Sequence, residues 1–273
     1  MRYQVKAVIF DILEECRDLK EKLKEAEILV CETFFGLSVR ETLCREMKEY
    51  AVVGEECLFL TNNEEHAKVA AELGMAVAGC MEGHFTVPKA PILLESPGEV
   101  SVGYLDRVYC HAKQLPAYIM ETERTYLREL TKEDMDALYS ILTDEEVSRY
   151  LPVKTGSREE EFEKLISYVS CVYSFFEYGY WGVFLKENDR LIGRAGFKEG
   201  SYPPEAGYVI ERSLWGQGYG TELLRGLILY AKDEIFAEKV LAKIDARNTA
   251  SVHVAMKCGF TYEMQNDIYV KRV

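Results

Sequence analysis

The first 95 residues alternate short apolar runs with amphipathic stretches. The apolar runs predict buried strands over 6–10, 27–30, 57–60 and 76–80. Between them, apolar residues recur three and four positions apart, which predicts helices over 18–26, 39–50 and 64–75. Asn63, directly before the last of these helices, is typical of a helix N-cap. The alternation of strands and helices with short links predicts a Rossmann-like α/β domain, a parallel sheet flanked by helices.

The pattern changes near residue 116. Prolines and glycines punctuate residues 88–104, a short helix is predicted over 104–115, and Pro116 ends it. We therefore place a boundary between two domains, 1–118 and 119–273. The length of the chain agrees with this division, because a domain takes about 150 residues.

Beyond the boundary the pattern indicates a strand, two helices, three strands, and then helix, strand, helix and strand in alternation. Thr131, with Asp134 three residues later, resembles the cap of the first helix. The predicted elements are strands over 125–130, 205–211 and 239–245, a hairpin over 180–197 that turns at 187–189, and helices from 131 and over 160–179, 221–236 and 250–260. This half contains neither an internal repeat nor a low-complexity tract.

Composition and charge exclude several classes of protein. The chain has 48% hydrophobic and 29% charged residues, which excludes a mostly disordered protein. Its 33 basic and 46 acidic residues give a net charge of −13, which repels nucleic acid phosphates. The longest apolar runs are far shorter than the 18 or so residues of a membrane span, and Asp11 interrupts the N-terminus before a signal peptide could form. We expect a cytoplasmic protein with neither nucleic acid nor a membrane as its partner.

The eight cysteines suggest neither disulfides nor a metal site. None lies in a CxxC pair, and the four histidines are scattered. Most of the cysteines lie inside apolar runs such as 28–31 and 56–60, where a thiol acts as a small hydrophobic side chain. We expect reduced core thiols and no bound metal.

The most informative segment is EAGYVIERSLWGQGYGTELLR, residues 205–225. A predicted strand leads into a loop that contains Gly216, Gly218 and Gly220, and the loop leads directly into a helix at Thr221. Glycines let backbone N–H groups approach a ligand, and a helix start adds unpaired donors and a positive dipole end. The segment therefore predicts a phosphate cradle made of backbone amides. The alternative is a glycine-rich turn with no ligand.

Two segments of the second half resemble the GNAT N-acetyltransferases. WGQGYG (215–220) resembles their acyl-CoA loop, Arg/Gln-x-x-Gly-x-Gly/Ala, and Trp215 in the first position resembles the RimJ/RimL-type branch that acetylates ribosomal proteins. RNTASVHVAMKCGF (247–260) looks like that branch's Asn-x-x-Ser segment with its helix ending in Gly-Phe. The resemblance covers residues 122–273 and implies the GNAT fold with its mixed sheet.

The resemblance also implies how acetyl-CoA is held. Ile210 should meet the pantetheine arm through its backbone, and Asn248 should hydrogen-bond that arm. Asn248 is equally suited to cap the helix that follows it, and the two roles are compatible. The residues whose backbone amides should hold the pyrophosphate are Gln217, Gly218, Tyr219, Gly220 and Thr221.

Direct attack of an amine on a thioester requires a neutral amine. An α-amine has a pKa of about 7.7–8.0 and a lysine amine about 10.4, so the acceptor decides how much a base must contribute. Glu205 is the candidate base, acting directly or through a water. Glu211 shares its strand face but lies nearer the phosphates; either residue is otherwise an ordinary surface carboxylate. A strand N–H near Val209 or Ile210 would stabilise the oxyanion.

The departing thiolate needs a proton, and the acceptor amine needs a pocket. Ser251 matches a position credited as proton donor, although its hydroxyl could instead cap the helix backbone. Ala255 stands where many relatives have a Tyr general acid. Aromatic residues could line the acceptor pocket or belong to the core; they are Trp181, Tyr202, Tyr208 and the run 173–181. The acceptor, a protein N-terminus or a small-molecule amine, is not readable from the sequence, and neither is the oligomeric state.

Segments of the first domain resemble haloacid-dehalogenase-like hydrolases. They are KAVIFD (6–11) and ECLFLTNNEEHAKVAAELGM (56–75). In that family one strand ends in Asp-x-Asp and a later strand ends in an acidic Mg²⁺ ligand. Asp11 is present here, but Leu13 replaces the second Asp and Thr61-Asn62-Asn63 stands at the later site. The resemblance therefore implies a degenerate, non-catalytic domain.

Three functions follow from these observations. The first is an acyl-CoA-dependent N-acetyltransferase that acts on a primary amine. The second is a non-catalytic sensor whose second domain binds acyl-CoA and whose first domain binds a partner or a small ligand. The Ala at position 255 in place of Tyr and the degenerate first domain favour this hypothesis. The third is a Mg²⁺-dependent phosphatase acting through Asp11.

Overall fold

The structure is a computed structural model that divides into two compact units. One unit ends at Ala117, and the other is Tyr118–Val273. The residues that the structure describes are 3–12, 15–33, 38–81, 92–151, 154–173 and 178–273.

The first unit contains a five-stranded sheet whose strands are all parallel. Its order is β2-β1-β3-β4-β5. β2 pairs with β1 on one side and forms an edge of the sheet, and β3 pairs with β1 on the other side. The second strand begins two residues later than predicted, and the short fifth strand was not predicted. The strands are β1 (Ala7–Asp11), β2 (Leu29–Glu32), β3 (Cys57–Thr61), β4 (Ala76–Cys80) and β5 (Leu93–Leu94).

Four α-helices accompany this sheet among the described residues. Asn63 caps the third one, and its side chain accepts hydrogen bonds from the backbone N–H groups of Glu65 and His66. Buried Asp106 on the fourth accepts from the N–H groups of Gln4 and Val5 at 2.7 and 2.8 Å. The helices are α1 (Arg17–Glu25), α2 (Val39–Glu49), α3 (Glu64–Glu72) and α4 (Val102–Ala112).

The second unit contains a five-stranded antiparallel sheet in the order β10-β9-β8-β7-β6. The predicted hairpin over 180–197 forms β8 and β9, which pair antiparallel. A three-stranded sheet, β11-β13-β12, follows later in the chain. The strands are β6 (Tyr118–Glu121), β7 (Thr125–Arg128), β8 (Tyr180–Leu185), β9 (Leu191–Phe197), β10 (Ala206–Ile210), β11 (Lys239–Ala242), β12 (Thr261–Glu263) and β13 (Ile268–Arg272).

Two of the predicted helices of the second unit differ in form from the prediction. The helix expected from 131 begins with a 3₁₀ turn, and the helix expected over 160–179 is α-helical only to Ser167 and then widens into a π turn, Tyr168–Val172. Both ends of this turn are bonded to the start of β8. The Tyr168 hydroxyl accepts from the Tyr180 N–H at 2.6 Å, and Tyr173, directly after the turn, donates its hydroxyl to the Tyr180 carbonyl at 2.7 Å. The helices are α5 (Met135–Thr143), α6 (Glu145–Ser148), α7 (Arg158–Ser167), α8 (Tyr219–Asp233) and α9 (Thr249–Lys257).

The two sheets of the second unit meet at one point and then separate. Glu205 and Leu241 form a single parallel bridge, and the Leu241 N–H donates to the Pro204 carbonyl at 2.9 Å. From there β10 pairs only with β9, and β11 pairs only with β13, among the described residues. The carboxyl ends of adjacent parallel strands thus diverge, and α8 and α9 begin at this opening.

None of the helices in the described residues is long and apolar enough to cross a membrane. All eight cysteines are among the described residues, and none of them forms a disulfide. Six of them are buried, as their apolar context predicts, whereas Cys44 is half-buried and Cys171 is exposed.

Candidate active site

The opening between β10 and β11 holds a cavity of about 710 Å³. Its walls come from the end of β10, the glycine loop that follows, the first turn of α8, one side of α9, and α6 with the residues just after it. Ligands of open α/β sheets bind outside the carboxyl ends of strands, where neighbours diverge. The predicted site residues on its walls are Ile210, Gly218, Tyr219, Gly220, Thr221, Asn248 and Ser251.

The loop from Glu211 to Gly218 presents bare backbone to this cavity. Gly216 and Gly218 have φ values of +76° and +88°, a conformation that L side chains rarely adopt. Apart from Gly216 and its two chain neighbours, no atom of the described residues lies within 4 Å of the position that a Cβ on Gly216 would take, so conformation rather than crowding requires glycine there. The indole Nε1 of Trp215 donates to the Ile210 carbonyl at 2.8 Å and fastens the loop to the end of β10.

The start of α8 supplies unpaired donors. The helix begins at Tyr219, two residues before the predicted start, and its N-cap is Gly218, which has no side chain to cap it. The first helical bond runs from the Glu222 N–H to the Gly218 carbonyl at 3.1 Å. The N–H groups of Tyr219, Gly220 and Thr221 therefore have no acceptor within the helix and lie at its positive end. This donor set fits a phosphorylated ligand.

Gln217 differs from the other four predicted pyrophosphate ligands. Its side-chain Nε2 donates to the Ser213 carbonyl at 3.0 Å, and its own carbonyl accepts from Arg124 Nη1 at 3.1 Å. Gln217 does not lie on the cavity wall. Its described contacts brace the loop from behind.

The open edge of β10 exposes alternate peptide groups. The Glu211 N–H donates to the Ile192 carbonyl, and the Lys198 N–H donates to the Glu205 carbonyl. Along a strand of an antiparallel sheet, the backbone groups of successive residues point alternately to one neighbouring strand and to the other side. The backbone groups of Val209 therefore bond to Arg194 within the sheet, whereas those of Tyr208 and Ile210 point to the opening. Val209 therefore has no N–H to offer an oxyanion. Ile210 keeps its N–H for a ligand, although its carbonyl is bonded to Trp215.

At the start of α9, two side chains meet the cavity. Asn248 Oδ1 accepts from the Ser251 N–H at 3.1 Å, so Asn248 is the N-cap, which leaves its amide nitrogen uninvolved in the cap. Burial raises the pKa of Tyr208 above its ordinary value of 10, and a hydrogen bond from Ser251 offsets part of that rise. Two protonated hydroxyls therefore adjoin on this wall at neutral pH, while Ala255 lies fully buried one turn further on.

Comparisons with known proteins agree with this geometry. The sequence profile of the acetyltransferase (GNAT) domain matches residues 124–261, half of the chain. The chain belongs to the GNAT acetyltransferase family.

Individual relatives of this acetyltransferase are distant. The uncharacterized N-acetyltransferase p20 of Bacillus licheniformis is 27% identical over 145 residues, which are 52% of this chain and 82% of p20. A GNAT acetyltransferase structure from Bacillus anthracis has 19% identity and a TM-score of 0.50, and covers 57% of this chain and 98% of its own. RimL, a ribosomal L7/L12 alpha-N-protein acetyltransferase solved with coenzyme A, has 18% identity, a TM-score of 0.50 and the same coverage. At these identities the structures show a shared fold.

The predicted base of the acetyltransferase lies outside the cavity. Glu205 is at the bridge to β11, and its charge adds to the burial that raises the pKa of Tyr180. The Tyr180 hydroxyl lies over β10, since a Cβ on Gly207 would approach it to 2.7 Å. The Glu211 carboxylate is held by Arg190 Nη2 at 2.9 Å, and this hydrogen bonding lowers the pKa of Glu211. Glu211 therefore forms an ion pair with Arg190.

Most of the aromatic residues considered for the acceptor pocket lie elsewhere. Trp181 is 1% exposed and packs edge-on against Phe197, so it belongs to the core. Tyr202 is exposed, and Tyr173 is buried under the start of β8. Of the described residues that were considered for this pocket, only Tyr208 lines the cavity. Residues 174–177 of the predicted aromatic run lie outside the described residues.

Sequence reasoning missed three cations around the site. Arg247 and Lys257 line the cavity, and Arg124 contacts the glycine loop from behind. Arg247 precedes Asn248 directly, so its place was readable from the motif. Arg124 lies 98 residues before its partner Glu222, and nothing in the local sequence connects them.

In the first unit, Asp11 lies where β1 ends. Its Oδ2 accepts from the Thr61 hydroxyl at 2.5 Å and lies 2.7 Å from His66 Nδ1. Leu13, which stands at the second Asp position of the Asp-x-Asp motif, is outside the described residues. Across the described parts of the chain, no cluster of three or more His, Cys, Asp or Glu side chains is suited to a metal ion.

Proposed function

We propose that this acetyltransferase moves the acetyl group of acetyl-CoA to a primary amine by direct attack. The observation that carries the proposal is the uncapped start of α8 behind a loop with glycine at 216 and 218, facing the opening between β10 and β11. Backbone N–H groups at a helix start bind phosphate without a lysine. Acetyl-CoA would supply an acetyl group already activated as a thioester.

The residues of the cavity fit this cosubstrate. The N–H groups of Gly218, Tyr219, Gly220 and Thr221 would bind the pyrophosphate. Along the open edge of β10, the Ile210 N–H would meet the pantetheine arm, and the Asn248 amide would reach it from α9. RimL was solved with coenzyme A and has the same fold, which supports this assignment.

The protein's own groups would move two protons. The Ser251 hydroxyl, beside Tyr208, would provide a proton at the cavity wall for the departing sulfur. Glu205 would accept the amine's proton. Because Glu205 lies away from the cavity, that transfer would pass through a water.

An α-amine is the acceptor class that this arrangement favours. Since the proposed base does not line the cavity, an acceptor that is already partly neutral at pH 7 has the advantage. The pKa of an α-amine is lower than that of a lysine amine by about 2.5 units. Trp215 at the first loop position also resembles the RimJ/RimL-type branch. We therefore propose a protein N-terminus or another α-amino compound.

The test is release of free thiol from acetyl-CoA with a panel of amines. The panel contains peptides with free and blocked N-termini, amino acids, a polyamine and an aminoglycoside. We expect turnover with free N-termini, no turnover with blocked ones, and a strong reduction in the Ser251→Ala variant. Tight CoA binding with no turnover on any amine would instead identify an acyl-CoA sensor, an alternative supported by Ala255 and by the remote Glu205.

For the first unit we propose a non-catalytic, haloacid-dehalogenase-like domain. The Asp11 carboxylate is already engaged by Thr61 and His66, and the later site has no carboxylate in Thr61-Asn62-Asn63. Mg²⁺-dependent phosphate release that disappears in Asp11→Asn would refute this and restore the phosphatase hypothesis. The cytoplasm remains the predicted compartment.

A further inference from the structure

We infer that Arg124 is a positioning residue for the phosphate cradle, which it shapes from the side opposite the ligand. The inference rests on the proposed CoA binding. Arg124 lies in the turn between β6 and β7, and it contacts both the glycine loop and the first turn of α8. It does not line the cavity.

The turn that carries Arg124 is fastened to Glu222. Arg124 Nε donates to Glu222 Oε2 at 2.7 Å, and the Arg124 backbone N–H donates to Oε1 at 2.8 Å. The Thr122 hydroxyl donates to the same Oε1 at 2.5 Å. Arg124 Nη2 also lies 2.7 Å from Glu222 Oε2, so Arg124 is anchored to this carboxylate before it reaches the loop.

From this anchor, Arg124 orients one peptide group of the cradle. Its Nη1 donates to the Gln217 carbonyl at 3.1 Å. The peptide from Gln217 to Gly218 is trans, so its C=O and N–H point in opposite directions. With the carbonyl directed to Arg124, the Gly218 N–H points away from Arg124, and Gly218 is on the cavity wall.

The guanidinium also supports the start of α8. Its central carbon lies 3.8 Å from the centroid of the Tyr219 ring. Nη2 lies 3.6 Å from the position that a Cβ on Gly218 would take. A planar fork can bind Glu222, contact the Gln217 carbonyl and stack on Tyr219 together, which a lysine ammonium cannot do.

The same contact removes a charge that would repel an anion. Glu222 lies in the first turn of α8, beside the donors that would bind phosphate. Burial alone would raise the pKa of Glu222, but hydrogen bonds from Thr122 and Arg124 outweigh it, and the pKa lies below its ordinary value. The carboxylate is therefore ionised, and Arg124 neutralises it.

The test measures CoA binding by calorimetry in Arg124→Ala and Arg124→Lys. We expect the Kd for CoA to rise about tenfold or more in Arg124→Ala and by a smaller factor in Arg124→Lys, because lysine keeps the charge but not the fork. The matched control is Arg128→Ala. Arg128 also binds a carboxylate with two nitrogens, Asp134 at 2.8 and 2.9 Å, and stacks on Phe184, but it does not contact the loop.

A second acetyl donor separates a positioning role of Arg124 from a general loss of structure in the variant. S-acetyl-pantetheine lacks the pyrophosphate, so Arg124→Ala should keep its wild-type kcat/KM with this donor and lose it with acetyl-CoA. Equal losses with both donors, or an unchanged Kd for CoA, would overturn the role of Arg124. If Arg124→Ala does not fold, the same comparison of the two donors is made with Arg124→Lys. Wild-type protein that binds no CoA would instead refute the proposed function itself.

Discussion

At the scale of single residues, the site depends on where side chains are missing. Gly216 and Gly218 let the loop take left-handed conformations, and Gly218 leaves the start of α8 without a cap. An Asn or Ser at position 218 would satisfy the same N–H groups that the proposed ligand needs. The glycine loop thus retains its donors for a ligand at a cost in helix stability.

Replacing Gly218 with valine should therefore abolish most CoA affinity. A β-branched side chain rarely adopts a φ of +88°, so the loop must rearrange. We expect the Kd for CoA, measured by calorimetry, to rise at least about tenfold. Gly200→Val is the control, since Gly200 has a φ of +68° in a turn that does not line the cavity. Equal CoA affinity in both variants would show that this loop does not form the phosphate cradle.

At the scale of elements, α8 and α9 begin at the same opening but differ in their caps. Gly218 leaves the first turn of α8 open, whereas Asn248 caps α9 through its Oδ1. The amide nitrogen of Asn248 is not used by that cap. A single side chain can therefore stabilise its own helix and donate to a ligand.

Asn248→Asp separates these two roles. Aspartate caps a helix as well as asparagine does, but it has no N–H to donate and adds a negative charge. We expect an unchanged melting temperature and a Kd for CoA raised several-fold, on the order of one lost hydrogen bond. Asn248→Ala should lower both stability and affinity. If Asn248→Asp binds CoA normally, the residue is only a cap.

At the scale of the whole molecule, each of the two units contains acidic side chains that are paired with basic ones of the same unit. Hydrogen bonds from Lys6, Lys68 and Arg190 lower the pKa values of Glu56, Glu65 and Glu211 below their ordinary 4.5. Arg247 lowers the pKa of Asp245 to about 2. These groups bind protons more weakly in the folded chain than in the unfolded chain.

Stability should therefore fall as the solution becomes acidic. The contribution of these pairs is fully present above about pH 4.5 and is lost as the pH drops through the lowered values. Because the groups are mostly exposed, each contribution is small and salt should weaken it. Urea midpoints between pH 7 and 3, at low and high salt, measure the effect. Stability that rises on acidification would contradict it.

The buried Asp106 should act in the opposite direction. Burial raises its pKa above the ordinary 3.8, despite hydrogen bonds from Val5 and Gln4. Its ionised form therefore costs stability as the pH rises from 3.8 through the raised value. Comparison with Asp106→Asn isolates this contribution from that of the surface pairs.

The sequence by itself determined the local features of this protein. Apolar periodicity, the cap at Asn63 and the spacing of Gly216, Gly218 and Gly220 depend on residues a few positions apart, and such patterns are legible along the chain. The same holds for the WGQGYG segment. For this reason the parallel sheet, the hairpin and the position of the glycine loop could all be predicted.

Only the tertiary structure decided how distant groups meet. The separation of β10 from β11 beyond Glu205, the sheet bonds that occupy Val209, and the approach of Tyr208 to Ser251 result from strand pairing and packing. The distance of Glu205 from the cavity and the ion pair of Glu211 have the same origin. Arg124 meets Glu222 across 98 residues because the β6–β7 turn folds against α8. No local spacing encodes such contacts, since their partners are brought together by the free energy of the whole fold.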